Sequence, residues 1–175
     1  MILINNRQRK IKVNIKDLHL KIEKMLEVLG YQDFDLGILL TTNKSIHKFN
    51  KTYRHKDKPT DILSFPYHTE LKAGQKIKVL SPDDKNLGDL IISLEYVQKD
   101  AKKTWGRTFD DHIIALLAHG IAHLLGYDHI IDKDYTIMLK VEKKLLASVG
   151  LEKLFANVKL DTRGYKFNRE EANER

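Results

Sequence analysis

Near the N-terminus apolar and polar positions alternate in short bursts, and the chain then settles into longer strand-like and helical runs. Ile2 to Ile4 predicts a short strand, and Ile11, Val13 and Ile15 alternate with polar residues as a strand with one buried face does. Leu18, Ile22, Met25, Leu26 and Leu29 recur at helical spacing, with Asp17 placed to cap that helix and Gly30 to stop it in a left-handed turn. Phe34 to Leu40, broken only by Asp35 and Gly37, suits a buried strand, after which Thr42 or Asn43 can cap a short helix through Tyr53. Two further buried runs follow, Asp61 to Phe65 ended by Pro66, and Leu90 to Ile92 entered through Gly88 and Asp89. Between them Tyr67 to Asn86 carries Gly74, Pro82 and many charges, and reads as a long mobile connection.

The second half is helical. Ser93 is placed to cap a helix running toward Trp105, and Thr108 with Asp111 opens an apolar helix that ends near Leu125 and is stopped by Gly126. Asp134 opens a last helix whose Ile137, Val141 and Leu145 share a face. From Leu151 to Arg175 the chain turns charged and aperiodic. The expectation is therefore one α+β domain over residues 1–150, a small mixed sheet packed with about five helices, and a flexible charged tail over 151–175.

Composition narrows the chemistry. A chain of 175 residues can bury a sufficient core without disulfides, and it has no cysteine, which removes thiolate metal sites, thiol nucleophiles and disulfide-linked partners. Any metal must sit on histidine or carboxylate. No run approaches the roughly 20 apolar residues that span a bilayer, and MILINNRQRK reverses the order of charge and apolar run in a signal peptide. A cytoplasmic protein without a membrane partner is expected. Net charge of +7 favours anionic partners, nucleic acid foremost, although a solvated lysine face would produce the same excess.

The segment HGIAHLLGYDH, residues 119 to 129, carries the chemistry. His119 and His123 stand four apart in the last turns of an apolar helix, so their imidazoles project from one face about 5.4 Å apart along the axis. A third ligand further along a straight helix could not reach the same ion; Gly126 can take the positive φ that turns the chain back and returns His129. Three neutral imidazoles leave a zinc-type ion one open position, as in catalytic sites. His112 lies about 10.5 Å before His119 on nearly the same face, too far to share the ion, and is assigned to packing or to support of the ligands. The position of the general base in H-E-x-x-H peptidases is here Gly120, so a metzincin-like spacing lacks its acid–base residue.

Together with YRHKDKPTDILSFP at 53 to 66 and NLGDLIIS at 86 to 93, this segment resembles the YbeY family of endoribonucleases, in order and in spacing, from the first strand to about Gly150. The resemblance implies an α+β fold, a metal held by His119, His123 and His129, and single-strand-selective cleavage in ribosomal RNA maturation and ribosome quality control, with RNA and the small ribosomal subunit as partners. It also implies that Arg54 is the basic residue of the active-site cleft. The segment alone leaves Arg54 two roles, a bidentate grip on a phosphodiester or a surface ion pair with Asp57 or Asp61; the resemblance favours the first. Lys56 and Lys58 read equally well as loop lysines, Asp128 as a local cap, and Ser64 as a strand residue lacking the strained turn of a nucleophile. Zinc is the expected ion, with nickel or another transition metal also suited to imidazole. Two rival readings stand beside this one: a metzincin-like hydrolase of another substrate, and a non-enzymatic ribosome-associated module whose metal only braces the turn.

Overall fold

Strands that read as continuous apolar runs are covered on both faces, and the three strands after the first are sandwiched in that way. The computed structural model describes residues 1–103, 106–130 and 132–155. Strands β1 (Ile2–Asn6), β2 (Asp35–Thr41), β3 (Ile62–Pro66) and β4 (Asn86–Ser93) form one mixed sheet in the order β1-β2-β4-β3. β1 is parallel to β2 and β2 to β4, whereas β3 runs antiparallel to β4 and forms an edge. Helices α1 (Ile15–Leu29), α2 (Asn43–Arg54), α3 (Leu94–Lys103), α4 (Phe109–Leu124) and α5 (Asp132–Ser148) complete the α+β domain.

The pleat divides the sheet residues between two cores, because successive side chains point to opposite faces. Leu36, Ile38 and Leu40 of β2, Ile62 of β3, and Leu90 and Ile92 of β4 join α1, α4 and α5 in the main core. Leu39, Leu63, Phe65 and Ile91 point the other way, onto Ile46 and Phe49 of α2. α4 is the central helix, with Ile113, Ile114, Leu117 and Ile121 all but inaccessible to solvent, which accounts for an apolar character that extends around most of its circumference.

Several local expectations are corrected. No strand forms at Ile11 to Ile15, because the buried Gln8 takes the backbone groups that a ladder would use: its Oε1 accepts from Lys10 N and Ile11 N at 3.0 and 2.8 Å, and its Nε2 donates to Ile11 O at 2.8 Å. Ile11 and Val13 pack on the main core from an extended segment instead. The cap of α1 is Asn14, whose Oδ1 accepts from Asp17 N at 3.1 Å, while Asp17 pairs with Lys21 in the first turn. Ser93 does precede α3, yet its hydroxyl donates to Asn43 Oδ1 at 2.7 Å. α5 begins two residues earlier than Asp134. Trp105 and residues 156–175 lie outside the described residues; Leu151, just before a short 3-10 turn, and Leu154 within it pack on the main core.

The connection from Tyr67 to β4 is held at several points. His68 Nε2 lies 2.9 Å from Asp84 O, and Asp84 Oδ2 accepts from Leu80 N and Ser81 N at 2.8 and 2.7 Å, bonds that hold its carboxyl below the usual carboxylate range. Leu71 and Ile77 rest on the main core.

Candidate metal centre

The last turn of α4 ends as the glycine at 126 dictates. Gly126 N donates to His123 O at 3.0 Å and Tyr127 N to Ala122 O at 3.1 Å, the two bonds of a Schellman cap, with Gly126 at φ 78°. A Cβ at this position would also run into the Leu71 carbonyl of the long connection, so both backbone conformation and space select glycine. The reversal brings His129 back beside the helix. Ligand-capable atoms of His119, His123 and His129 all lie within 4.8 Å of one another, and the three rings sit with centroids 4.5 to 5.3 Å apart.

Hydrogen bonds fix which nitrogens face inward. His119 Nδ1 lies 2.7 Å from Glu142 Oε1, and His123 Nδ1 lies 2.9 Å from Tyr127 O. Both partners accept, so both Nδ1 atoms donate, and the two Nε2 atoms are left facing each other at 3.0 Å. Two ring nitrogens so placed share either a proton or a metal ion. Two zinc–nitrogen bonds of about 2.0–2.1 Å at a tetrahedral angle would set such atoms about 3.3 Å apart. Burial, then the repulsion that a protonated His119 would exert, pushes the His129 pKa down, a direction that favours the neutral ring a metal needs. The donor set therefore fits a divalent transition metal ion.

Sequence reasoning missed Glu142. It stands on α5 among Met138, Leu139, Leu145 and Leu146, all buried, and its own side chain is 13% exposed. A carboxylate at helical spacing within an apolar stripe was the available signal, because buried charges need partners. A carboxylate on the far nitrogen of a ligand orients the ring and raises its basicity. Replacing Glu142 by glutamine, which keeps shape and loses charge, should weaken metal retention by about 10–100-fold; competition against a graded chelator measures it.

The other candidates fall into place individually. Arg54 is exposed at the C-terminal end of α2. Among the described residues no hydrogen bond or ion pair joins it to the histidines or to Asp57 or Asp61. Asp57 is held instead by His47 and Lys51, at 2.6 and 2.8 Å, which lower its pKa, and Asp61 Oδ1 accepts from Thr60 and Ile62 N. The surface ion pair considered for Arg54 is thus absent, and the guanidinium is open to an anion. Asp128 accepts from His129 N at 2.7 Å, a local cap. His112 is buried between α3 and α4, 3.6 Å from Asp100, and desolvation outweighs that carboxylate to lower its pKa. Ser64 lies within β3.

Fold and site together define a small α+β domain whose central helix ends in a three-histidine cluster able to hold a metal ion. The chain belongs to the YbeY family: the family model described as Endoribonuclease YbeY matches residues 3–150. Similar curated relatives include the Endoribonuclease YbeY of Homo sapiens, 39% identical over 149 residues that cover 85% of this chain and 88% of the relative. That of Vesicomyosocius okutanii is 36% identical over 151 residues, covering 86% and 97%. The solution structure of a Thermotoga maritima protein shares the fold, with a TM-score of 0.54 at 23% identity over 88% of this chain and 95% of that one. Among the described residues no helix is long and apolar enough to cross a membrane.

Proposed function

We propose that this chain is a metal-dependent endoribonuclease that cleaves single-stranded RNA in ribosomal RNA maturation and ribosome quality control, with the small ribosomal subunit as its partner in the cytoplasm. Residues 1–150 form the catalytic domain, on whose core Leu151 and Leu154 also pack, and the sequence beyond is charged. His119, His123 and His129 hold one ion, taken here as zinc. The observation that carries the reading is the convergence of ligand atoms from three histidines within 4.8 Å of one another in a chain of this family.

When bound, the ion supplies Lewis acidity toward a phosphate oxygen and a lowered pKa for water. The remaining work falls to the chain. Glu142 and the Tyr127 carbonyl hold two ligand rings in one tautomer. Arg54, permanently charged and planar, grips a non-bridging phosphate oxygen pair and offsets the charge that builds there as the bond is attacked. The net charge of +7 concentrates a polyanion at the surface.

Metal-loaded protein incubated with single-stranded and duplex RNA of one sequence should cut the single strand alone. Arg54→Ala should retain its metal and its melting temperature while cleavage falls by about 10²–10³-fold, the size expected for loss of one charge-stabilising group. Cutting of both substrates alike, or an Arg54→Ala variant as active as the parent, would overturn the assignment; metal binding without any cleavage would favour the non-enzymatic module.

A further inference from the structure

The histidine centre accounts for chemistry but not for how a flexible strand is held, and helix α2 carries what that requires. Its sequence NKSIHKFNKTYR contains four cationic residues and no acidic one. Lys44, Lys48 and Arg54 are exposed and make no ion pair among the described residues. In the last turn stands Tyr53, 62% exposed in spite of its size. Its ring lies near-parallel to Phe49, with centroids 6.3 Å apart, and edge-on to Phe65 of β3 at 5.2 Å. Two rings thus brace a third whose outward surface meets solvent, and no hydrogen bond to the Tyr53 hydroxyl occurs among the described residues.

An exposed, rigidly backed aromatic beside unpaired cations matches the chemistry of a single strand, whose bases offer π faces and whose backbone offers phosphates. A duplex hides those faces in its own stack. Position supports the same occupant. β3 touches both regions: Phe65 packs on Tyr53, while Ile62, three residues or about 10 Å back along the strand, packs on Gly120 beside His119. β3 thus links the helix that carries Tyr53 to the helix that carries His119 and His123, and a strand that rests a base on Tyr53 meets Arg54 as the next residue of α2.

We propose that Tyr53 is a base-stacking platform for the single-stranded RNA substrate, with Lys44 and Lys48 engaging the flanking phosphates. The inference rests on the RNA reading above. Metal-loaded wild-type, Tyr53→Ala, Tyr53→Leu and Tyr53→Phe proteins, each with its melting temperature recorded, are compared in steady-state cleavage of a short single-stranded RNA. Tyr53→Ala should raise KM by about 5–150-fold, the cost of losing one base–aromatic stack, with kcat within about twofold. Tyr53→Leu, which keeps apolar bulk against Phe49 and Phe65, should match Ala, and Tyr53→Phe should match wild type. Lys48→Ala should reduce the salt dependence of KM by about one phosphate contact.

Folded Ala and Leu variants with unchanged KM would overturn the platform alone, as would a Phe variant as weak as Ala. Poly-glutamate displacing RNA equally well from wild-type and Tyr53→Leu protein would reassign the face to an acidic polypeptide and overturn it too. A wild-type protein that neither binds nor cuts RNA would overturn both this inference and the function it rests on.

Discussion

Gly120→Glu should leave little or no folded protein. The substitution restores the residue that H-E-x-x-H peptidases place after their first histidine, but here the position faces the sheet and not the metal centre. A Cβ on Gly120 would sit 2.7 Å from Leu90 Cδ2 and 2.8 Å from Ile62 Cδ1, both buried side chains of the main core. One methyl group already demands that those side chains shift, an overpacking cost of about 1–3 kcal/mol. Glutamate adds a chain and a carboxylate with no partner in an apolar layer, so the combined loss should exceed about 4 kcal/mol, a large share of the 5–15 kcal/mol that stabilises a typical domain. Urea denaturation followed by circular dichroism measures it, and Gly120→Ala should fall between the two. A Gly120→Glu protein of near-native stability would show that α4 does not lie against β3 and β4 as described. The absent peptidase base therefore has a packing reason: the tips of Leu90 and Ile62 fill the space that a glutamate side chain would need.

His123→Ala should abolish metal binding and, with it, cleavage. The variant removes one of three ligands and the ring that bonds to the Tyr127 carbonyl, while alanine preserves the helix. A two-histidine remnant holds a divalent ion far less well, so metal content after dialysis against a weak chelator should fall from one ion per chain to below about a tenth. Cleavage of single-stranded RNA should drop at least about 10³-fold, equivalent to about 4 kcal/mol of barrier. Circular dichroism should show the same helix content as metal-stripped wild type. A variant that keeps both ion and activity would remove His123 from the ligand set.

Much of this organisation was readable from residue order because it is local. Gly126 announces the Schellman turn, and with it the return of His129, since few residues other than glycine tolerate the required φ. Thr42 and Thr108 cap α2 and α4 as their positions suggest, accepting from Ser45 N and Asp111 N. What stayed hidden depends on neighbours distant in sequence. Alternation at Ile11 to Ile15 resembles a strand until the buried Gln8 amide is seen to occupy the backbone groups. Glu142, 23 residues from His119, becomes its partner only when α5 packs beside α4. The rings of Phe49, Tyr53 and Phe65 lie scattered in the sequence, and they cluster because α2 covers the face of β3 opposite to α4.

One ion on three histidines should give the chain its activity toward RNA. Stripped protein titrated with zinc, with cleavage of single-stranded RNA followed at each addition, tests it directly. Activity should be negligible in the stripped protein, rise in proportion to bound ion and level off at one ion per chain. Full cleavage by protein freed of metal, or a rise that continues well beyond one equivalent, would contradict it.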